Sequence, residues 1–96
     1  MTVEIFGVTP HDFEVFKQLM DASVGRSAGA ALLTTAWQGT NYRVTGPGFS
    51  AHGRFDNGDV TVTLTLSFPA TMMKEQIVGE IERLLRDAGC RSVKSI

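Results

Sequence analysis

The feature that most constrains the fold is an alternating strand pattern followed at once by a helical pattern. Residues 60–68 alternate apolar and small polar side chains without a break, which is typical of a strand with one buried and one exposed face. The residues after this strand give one side of a helix an apolar character. They are Met73, Ile77, Ile81, Leu84, Leu85 and Ala88. We expect the strand and the helix to pack on each other, with the other elements assembled around them.

The first third of the chain adds one strand and one helix. Residues 2–8 suit a strand that begins the chain. Thr9 is the expected cap of the helix and Pro10 its first residue, because proline is tolerated where the helix has no N–H to satisfy. The helix is expected to end before Gly25. The small residues 23–31 favour a loop, because glycine disfavours helix by about 1 kcal/mol.

Residues 33–68 are expected to form an antiparallel meander. Turn residues separate the strands at Gly39, at residues 46–48 and at residues 56–58. In the predicted register every inward residue meets an inward residue, as burial of one face requires. The predicted pairs are Trp37 with Tyr42, Thr35 with Val44, Tyr42 with Ala51, Val44 with Phe49, Phe55 with Val60, Ala51 with Leu64, and Phe49 with Leu66.

The last helix is expected to be capped by Thr71 and stopped by Gly89 in the left-handed conformation. The tail, residues 91–96, is expected to fray or to extend weakly. The sequence therefore predicts the order β-α-β-β-β-β-α. This is an α+β fold, an antiparallel meander sheet with two helices packed on one face.

Length, charge and cysteine content limit the possible functions. Ninety-six residues suit a single domain, residues 1–96. The formal net charge of −1 with interspersed signs provides no basic field for nucleic acid. The single cysteine, Cys90, excludes an internal disulfide. There is no signal-peptide pattern and no transmembrane segment, so we expect a cytoplasmic protein.

No arrangement of reactive residues indicates catalysis, a cofactor or a metal ion. His11 and His52 are the only histidines, and neither has an expected carboxylate or thiol partner. Cys90 follows the end of a helix, where the dipole disfavours a thiolate. We therefore assign no catalytic, cofactor-binding or metal-ligating residue.

Three sets of residues are candidate contact sites on the predicted fold. Arg43, His52 and Arg54 share the sheet face away from the helices and could hold an anion, although isolated basic side chains also serve only for solubility. Trp37 and Tyr42 are core aromatics or the lining of a pocket.

Met72 and Val78 form the third set, an apolar contact patch on the outer side of the last helix, unless they are scattered surface residues. The outer sheet face is rich in threonine and, in the predicted strands 33–68, free of carboxylates. It is either an ordinary solvated face or a contact for another subunit or a polymer surface.

Residues 37–88 resemble the small bacterial polyhydroxyalkanoic acid system proteins. The likeness lies in Trp37-Gln-Gly39, the glycine-containing strand of residues 48–53, the alternating strand of residues 60–68, and the helix of residues 77–85. The resemblance implies a non-catalytic accessory protein linked to storage-polyester granules, and it transfers no catalytic residue. The first helix is shorter here than in that family, and residues 24–31 are less helical and less charged.

Two functions follow as hypotheses. The first is a non-enzymatic accessory or binding protein associated with polyhydroxyalkanoate granules, forming a homo-oligomer and contacting a hydrophobic granule surface. The alternative is a small-molecule-binding protein or minimal enzyme with a pocket between helices and sheet.

Overall fold

The computed structural model describes residues 1–27 and 33–96. Within these residues, six strands form one antiparallel sheet and two helices pack on one of its faces. The elements are β1 (Thr2–Val8), α1 (Phe13–Gly25), β2 (Thr34–Gln38), β3 (Asn41–Gly46), β4 (Phe49–Asp56), β5 (Asp59–Leu66), α2 (Lys74–Asp87) and β6 (Arg91–Ser95). The predicted fold class is confirmed.

The strand order is β2-β3-β4-β5-β1-β6, so the first strand lies inside the sheet. Of the two outcomes predicted for the tail, fraying is wrong and extension is present, because β6 pairs antiparallel with β1, with Phe6 opposite Lys94. This pairing provides hydrogen-bond partners for the backbone groups on the edge of β1 that faces away from β5. The tail contributes one inward apolar side chain, the half-buried Val93, which is too little to produce an alternating pattern in the sequence.

The predicted register is confirmed in two of the three hairpins. Phe55 pairs with Val60 at the β4–β5 turn, and Trp37 pairs with Tyr42 at the β2–β3 turn. The β3–β4 register differs from the prediction by two residues, because Tyr42 lies opposite Gly53 and Val44 opposite Ala51. The turn there has only two central residues, Pro47 and Gly48, so Gly46 pairs with Phe49. With φ +76° at Gly48, the turn matches the type II preference for Pro then Gly.

The core lies between the helices and the inner face of β1 and β5. The alternating residues of these strands are buried there, as the pattern predicts. Leu64 and Leu85 are among the fully buried side chains and join strand to helix. Ser23 of α1 is also buried, and its hydroxyl donates a hydrogen bond of 3.1 Å to the carbonyl oxygen of Leu84 in α2. That bond ties the two helices together.

Both helices begin differently from the prediction. Asp12, not Thr9, caps α1, because its carboxylate accepts a 2.9 Å hydrogen bond from the backbone N–H of Val15. Thr9 instead accepts a hydrogen bond from the N–H of His11. A 3-10 turn of residues Ala70–Met73 precedes α2, and Thr71 makes no capping bond. Thr9 and Asp12 thus accept from different backbone donors, and only the bond to Asp12 caps α1.

The end of α1 also differs, because the helix continues through Gly25. The loop predicted for residues 23–31 is therefore wrong for residues 23–25, where burial of Ser23 and Val24 outweighs the low helix propensity of glycine. Residues 28–31 of that prediction lie outside the described residues.

Gly89 ends α2 as predicted, with φ +94°. In residues 1–27 and 33–96, no helix combines the length and apolar character that crossing a bilayer requires.

Candidate functional site

An apolar cleft opens between the helices and the inner face of β3 and β4. α2 packs chiefly on α1, β1 and β6, and both of these strands lie at the opposite side of the sheet from β2. The inner face of β3 and β4 is therefore left as the floor of a cleft with a volume of about 930 Å³. Volumes of roughly 300–1,000 Å³ are typical of sites that enclose a small molecule.

Hydrophobic side chains from both helices and from strands β2 to β5 line this cleft. Val44 and Ala51 form part of the floor, Met20 of α1 lies on one side, and Ile77 and Ile81 of α2 lie on the other. Ile77 belongs to the helical stripe that the sequence predicts, and it is only half-buried because it faces the cleft. The lining therefore favours an apolar occupant.

Two charged residues line the cleft in the part of the chain that the structure describes, Arg54 and Glu80. Arg54 is exposed, and its register places its side chain on the outer face of the sheet. The Glu80 carboxylate accepts hydrogen bonds from Arg83 and Ser27. The bond from Arg83 is the main cause that lowers the pKa of Glu80, so Glu80 is ionised at neutral pH.

Trp37 and Tyr42 meet at one end of the cleft. Their rings stack with centroids 4.2 Å apart, and both residues belong to the lining. The indole Nε1 donates a 2.8 Å hydrogen bond to Asp21, which fixes the orientation of the ring. Tyr42 is buried, and this burial is the main cause that raises its pKa. The structure thus brings together the pair predicted to line a pocket, while its binding role stays a prediction.

A hydrophobic rim borders the other side of the cleft. We define the hydrophobic rim as Phe68, Met72 and Met73, which are 78%, 78% and 54% exposed. Both methionines also line the cleft, as does Pro69 beside Phe68. Met72 and Met73 therefore connect the rim with the cleft as one apolar surface, and large exposed apolar patches commonly mark contact sites.

The predicted contact pair of Met72 and Val78 is only half present. Met72 is exposed, but Val78 is 8% exposed and belongs to the core. Val78 lies three and seven residues before Ile81 and Leu85, on the same buried side of the helix. The predicted outer patch at Val78 is therefore wrong.

Sequence reasoning missed Phe68 as a contact residue. Alternation places it on the inner face of a strand that continues to residue 68, whereas β5 ends at Leu66. The signal that could have identified it is Pro69, since proline restricts the residue before it and commonly follows the end of an element.

The outer face of the sheet gathers the three candidate anion ligands. Arg43 lies directly opposite His52, and Arg54 lies two residues beyond His52 on the same strand. All three side chains are exposed. β1 adds Glu4 to this face, opposite Thr63, so the face is not free of carboxylates as predicted from the meander alone. An anion site here stays a prediction.

The reactive side chains lie apart from the cleft. Cys90 is buried at the end of α2, and burial raises the pKa of its thiol to about 11. The His11 ring packs beside Gly89, and His52 is on the outer sheet face. Among the described residues, no group of three or more His, Cys, Asp and Glu side chains is placed to hold a metal ion.

Comparison with known proteins identifies one family. Residues 11–88 match the family model described as "Putative polyhydroxyalkanoic acid system protein (PHA_gran_rgn)". The match covers α1 through α2 and so includes the cleft and the hydrophobic rim. Among curated proteins, none matches this sequence.

Proposed function

Because the chain belongs to the polyhydroxyalkanoic acid system protein family, we propose that it is a non-enzymatic accessory protein of storage-polyester granules. It acts in the bacterial cytoplasm as a single domain, and it binds the hydrophobic granule surface through the rim and the cleft. The family match does not favour the alternative of an independent small-molecule-binding protein or minimal enzyme.

The observation that supports this proposal is the continuity of the hydrophobic rim with the cleft. Phe68 and Met72 are each 78% exposed, whereas large apolar side chains in a domain of this size are generally buried. Burial of the three rim side chains against an apolar polymer would contribute about 4–6 kcal/mol before the cost of association. That amount favours reversible adsorption over permanent insertion.

Co-sedimentation with polyhydroxyalkanoate particles tests the proposed contact. We expect the double variant Met72→Lys/Met73→Lys to bind at least about tenfold more weakly than the natural chain, because two charges would have to be desolvated at the contact. Neither methionine is buried in the core, so the variant should unfold at nearly the natural temperature.

The matched control is Thr63→Lys/Thr65→Lys, which adds the same two charges to the outer sheet face. Particle binding by this control should remain close to that of the natural chain. Equal loss in both double variants would attribute the effect to net charge, and loss in the outer-face variant alone would assign the contact to the threonine face. Either result would refute the proposed rim contact.

We also propose that the chain forms a homo-oligomer through the open edge of β2. This edge strand, Thr34–Gln38, has the sequence TTAWQ and contains no charged residue and no proline. Unprotected edge strands readily pair with another copy. Two copies joined in this way would carry two rims, and paired weak contacts raise the apparent affinity for a surface.

A further inference from the structure

We propose that the cleft holds a single uncharged segment of an aliphatic ester chain and discriminates against free carboxylates. The choice of an ester rests on the proposed function, whereas the preference for an uncharged apolar chain rests on the cleft itself. The proposal assigns an occupant to the interior of the cleft, in addition to the granule contact made by the rim.

The size of the cleft supports an elongated small ligand. Its volume of about 930 Å³ lies near the upper end of the range for sites that enclose drug-sized molecules. Its floor runs across neighbouring strands through Tyr42, Val44 and Ala51, and the hydrophobic rim borders its opening. A chain end leaving a polymer surface bound at the rim could therefore enter the cleft without leaving apolar surroundings.

The charge of the lining supports an uncharged ligand. Glu80 is ionised and bonded to Arg83 at the side of the cleft, and the Arg54 side chain belongs to the outer sheet face. Lys17 lies over the Trp37 ring, 5.7 Å from its centroid, but it does not belong to the lining. Among the described residues, a carboxylate entering the cleft would thus meet no lining cation on the inner face, and it would lose its hydration. An ester has no charge to desolvate.

The lining also offers neutral hydrogen-bond donors for ester carbonyl groups. Thr40, which carries a hydroxyl, and Gln76, which carries an amide, both belong to the lining, and both residues are exposed. Such donors orient a polar group while the apolar lining holds the hydrocarbon portion. The arrangement fits a chain that is mostly hydrocarbon with regularly spaced carbonyls.

Trp37 provides a direct measurement of occupancy, because it is the only tryptophan of the sequence and lines the cleft. Titration with methyl octanoate should change Trp37 fluorescence with saturation. Octanoate at the same pH should bind at least about tenfold more weakly. This comparison needs no variant and is therefore independent of any folding defect. Equal or tighter binding of octanoate, or no saturable change with the ester, would overturn the inference.

Variants that fill the cleft locate the ester. Val44→Phe and Ala51→Leu each add volume to the floor, and each should weaken methyl octanoate binding at least about tenfold if it folds. The matched control is Thr45→Phe, on the same strand but on the outer face, and it should bind like the natural chain. Unchanged binding in a folded floor variant, or equal loss in the control, would place the ester elsewhere and refute the assignment.

The proposed function and this inference fail differently. Saturable ester binding by a chain that does not co-sediment with polyester particles would refute granule contact and support the cleft assignment. Co-sedimentation without ester binding would support granule contact and refute the cleft assignment. The rim variant Phe68→Lys should bind the ester within about threefold of the natural chain, because Phe68, unlike the two methionines, does not line the cleft. A larger loss would contradict an ester site in the interior of the cleft.

Discussion

Cys90 shows how one reactive side chain can serve packing alone. It lies between α2 and β6 and packs against Gly7 of β1, where an added methyl group would come within 3.2 Å of the Cys90 Cβ. Burial raises the pKa of its thiol from 9.0 to about 11. The side chain is therefore protonated at neutral pH and acts as a small hydrophobic group, at a point where three elements meet.

This raised pKa predicts a fall in stability at high pH. Below pH 9 the thiol is protonated in both the folded and unfolded chains, so it causes no pH dependence. Between pH 9 and about 11 the unfolded thiol ionises while the folded one keeps its proton, so the free energy of unfolding decreases as pH rises. The decrease due to this group should be about 3 kcal/mol at most.

Denaturant unfolding at pH 8 to about 11, with a reducing agent present, measures this decrease. The Cys90→Ala variant is the control, because it retains every other titratable group of the chain. We expect the difference in the free energy of unfolding between the natural chain and Cys90→Ala to shrink as pH rises. Parallel pH curves for the two chains would show that the Cys90 thiol has the same pKa in the folded and unfolded states, and this would contradict the prediction.

The two edge strands differ in how they resist pairing with another chain. β6 carries Arg91 and Lys94, and its register with β1 is irregular. β2 has neither protection and shows a regular five-residue register with β3. Charges and irregular registers are common protections of sheet edges, so β2 is the edge from which self-association is expected.

A single lysine on β2 should therefore reduce self-association. Ala36→Lys places a charge on the open edge and, in a two-fold pairing of β2 strands, brings like charges close together. We expect light scattering over a concentration series to shift from dimer toward monomer. Ser95→Lys on β6 is the matched control and should leave the mass unchanged. A natural chain that remains monomeric at high concentration would contradict the proposed homo-oligomer.

The sequence predicted elements more reliably than their exact pairing. Alternation assigned the inner and outer faces of the strands. It could not determine the β3–β4 register, because a shift of two residues leaves every side chain on the same face. This is why the predicted β3–β4 register was wrong. The β6 strand was missed because its formation depends on the free edge of β1, a tertiary feature. Turn residues such as Gly89 act locally, and this is why they could be predicted from the sequence.

The same distinction applies to the candidate site. Trp37 and Tyr42 were predicted as neighbours because both follow from one hairpin. Phe68 was missed because its exposure depends on where β5 ends. Val78 was misplaced because its exposure depends on how α2 is rotated over the sheet. The cleft itself results from the lateral position of two helices on six strands, which no local pattern encodes.

The whole molecule has two unlike surfaces. Its radius of gyration of 12.2 Å agrees with the value of about 12 Å expected for a compact chain of this length, so the cleft belongs to a compact body. One side carries the cleft and the hydrophobic rim. The other carries threonines together with Arg43, His52 and Arg54. We propose polyester contact for the first side, with the second side facing solvent.

The most direct test compares a polarity-sensitive dye on the two sides. In a Cys90→Ala background, Met72→Cys and His52→Cys each carry the same dye at an exposed position. On polyhydroxyalkanoate particles, we expect a blue shift of the dye at residue 72 and little change at residue 52. A blue shift at residue 52 with none at residue 72 would show that the polyester is bound by the threonine face, contradicting the account.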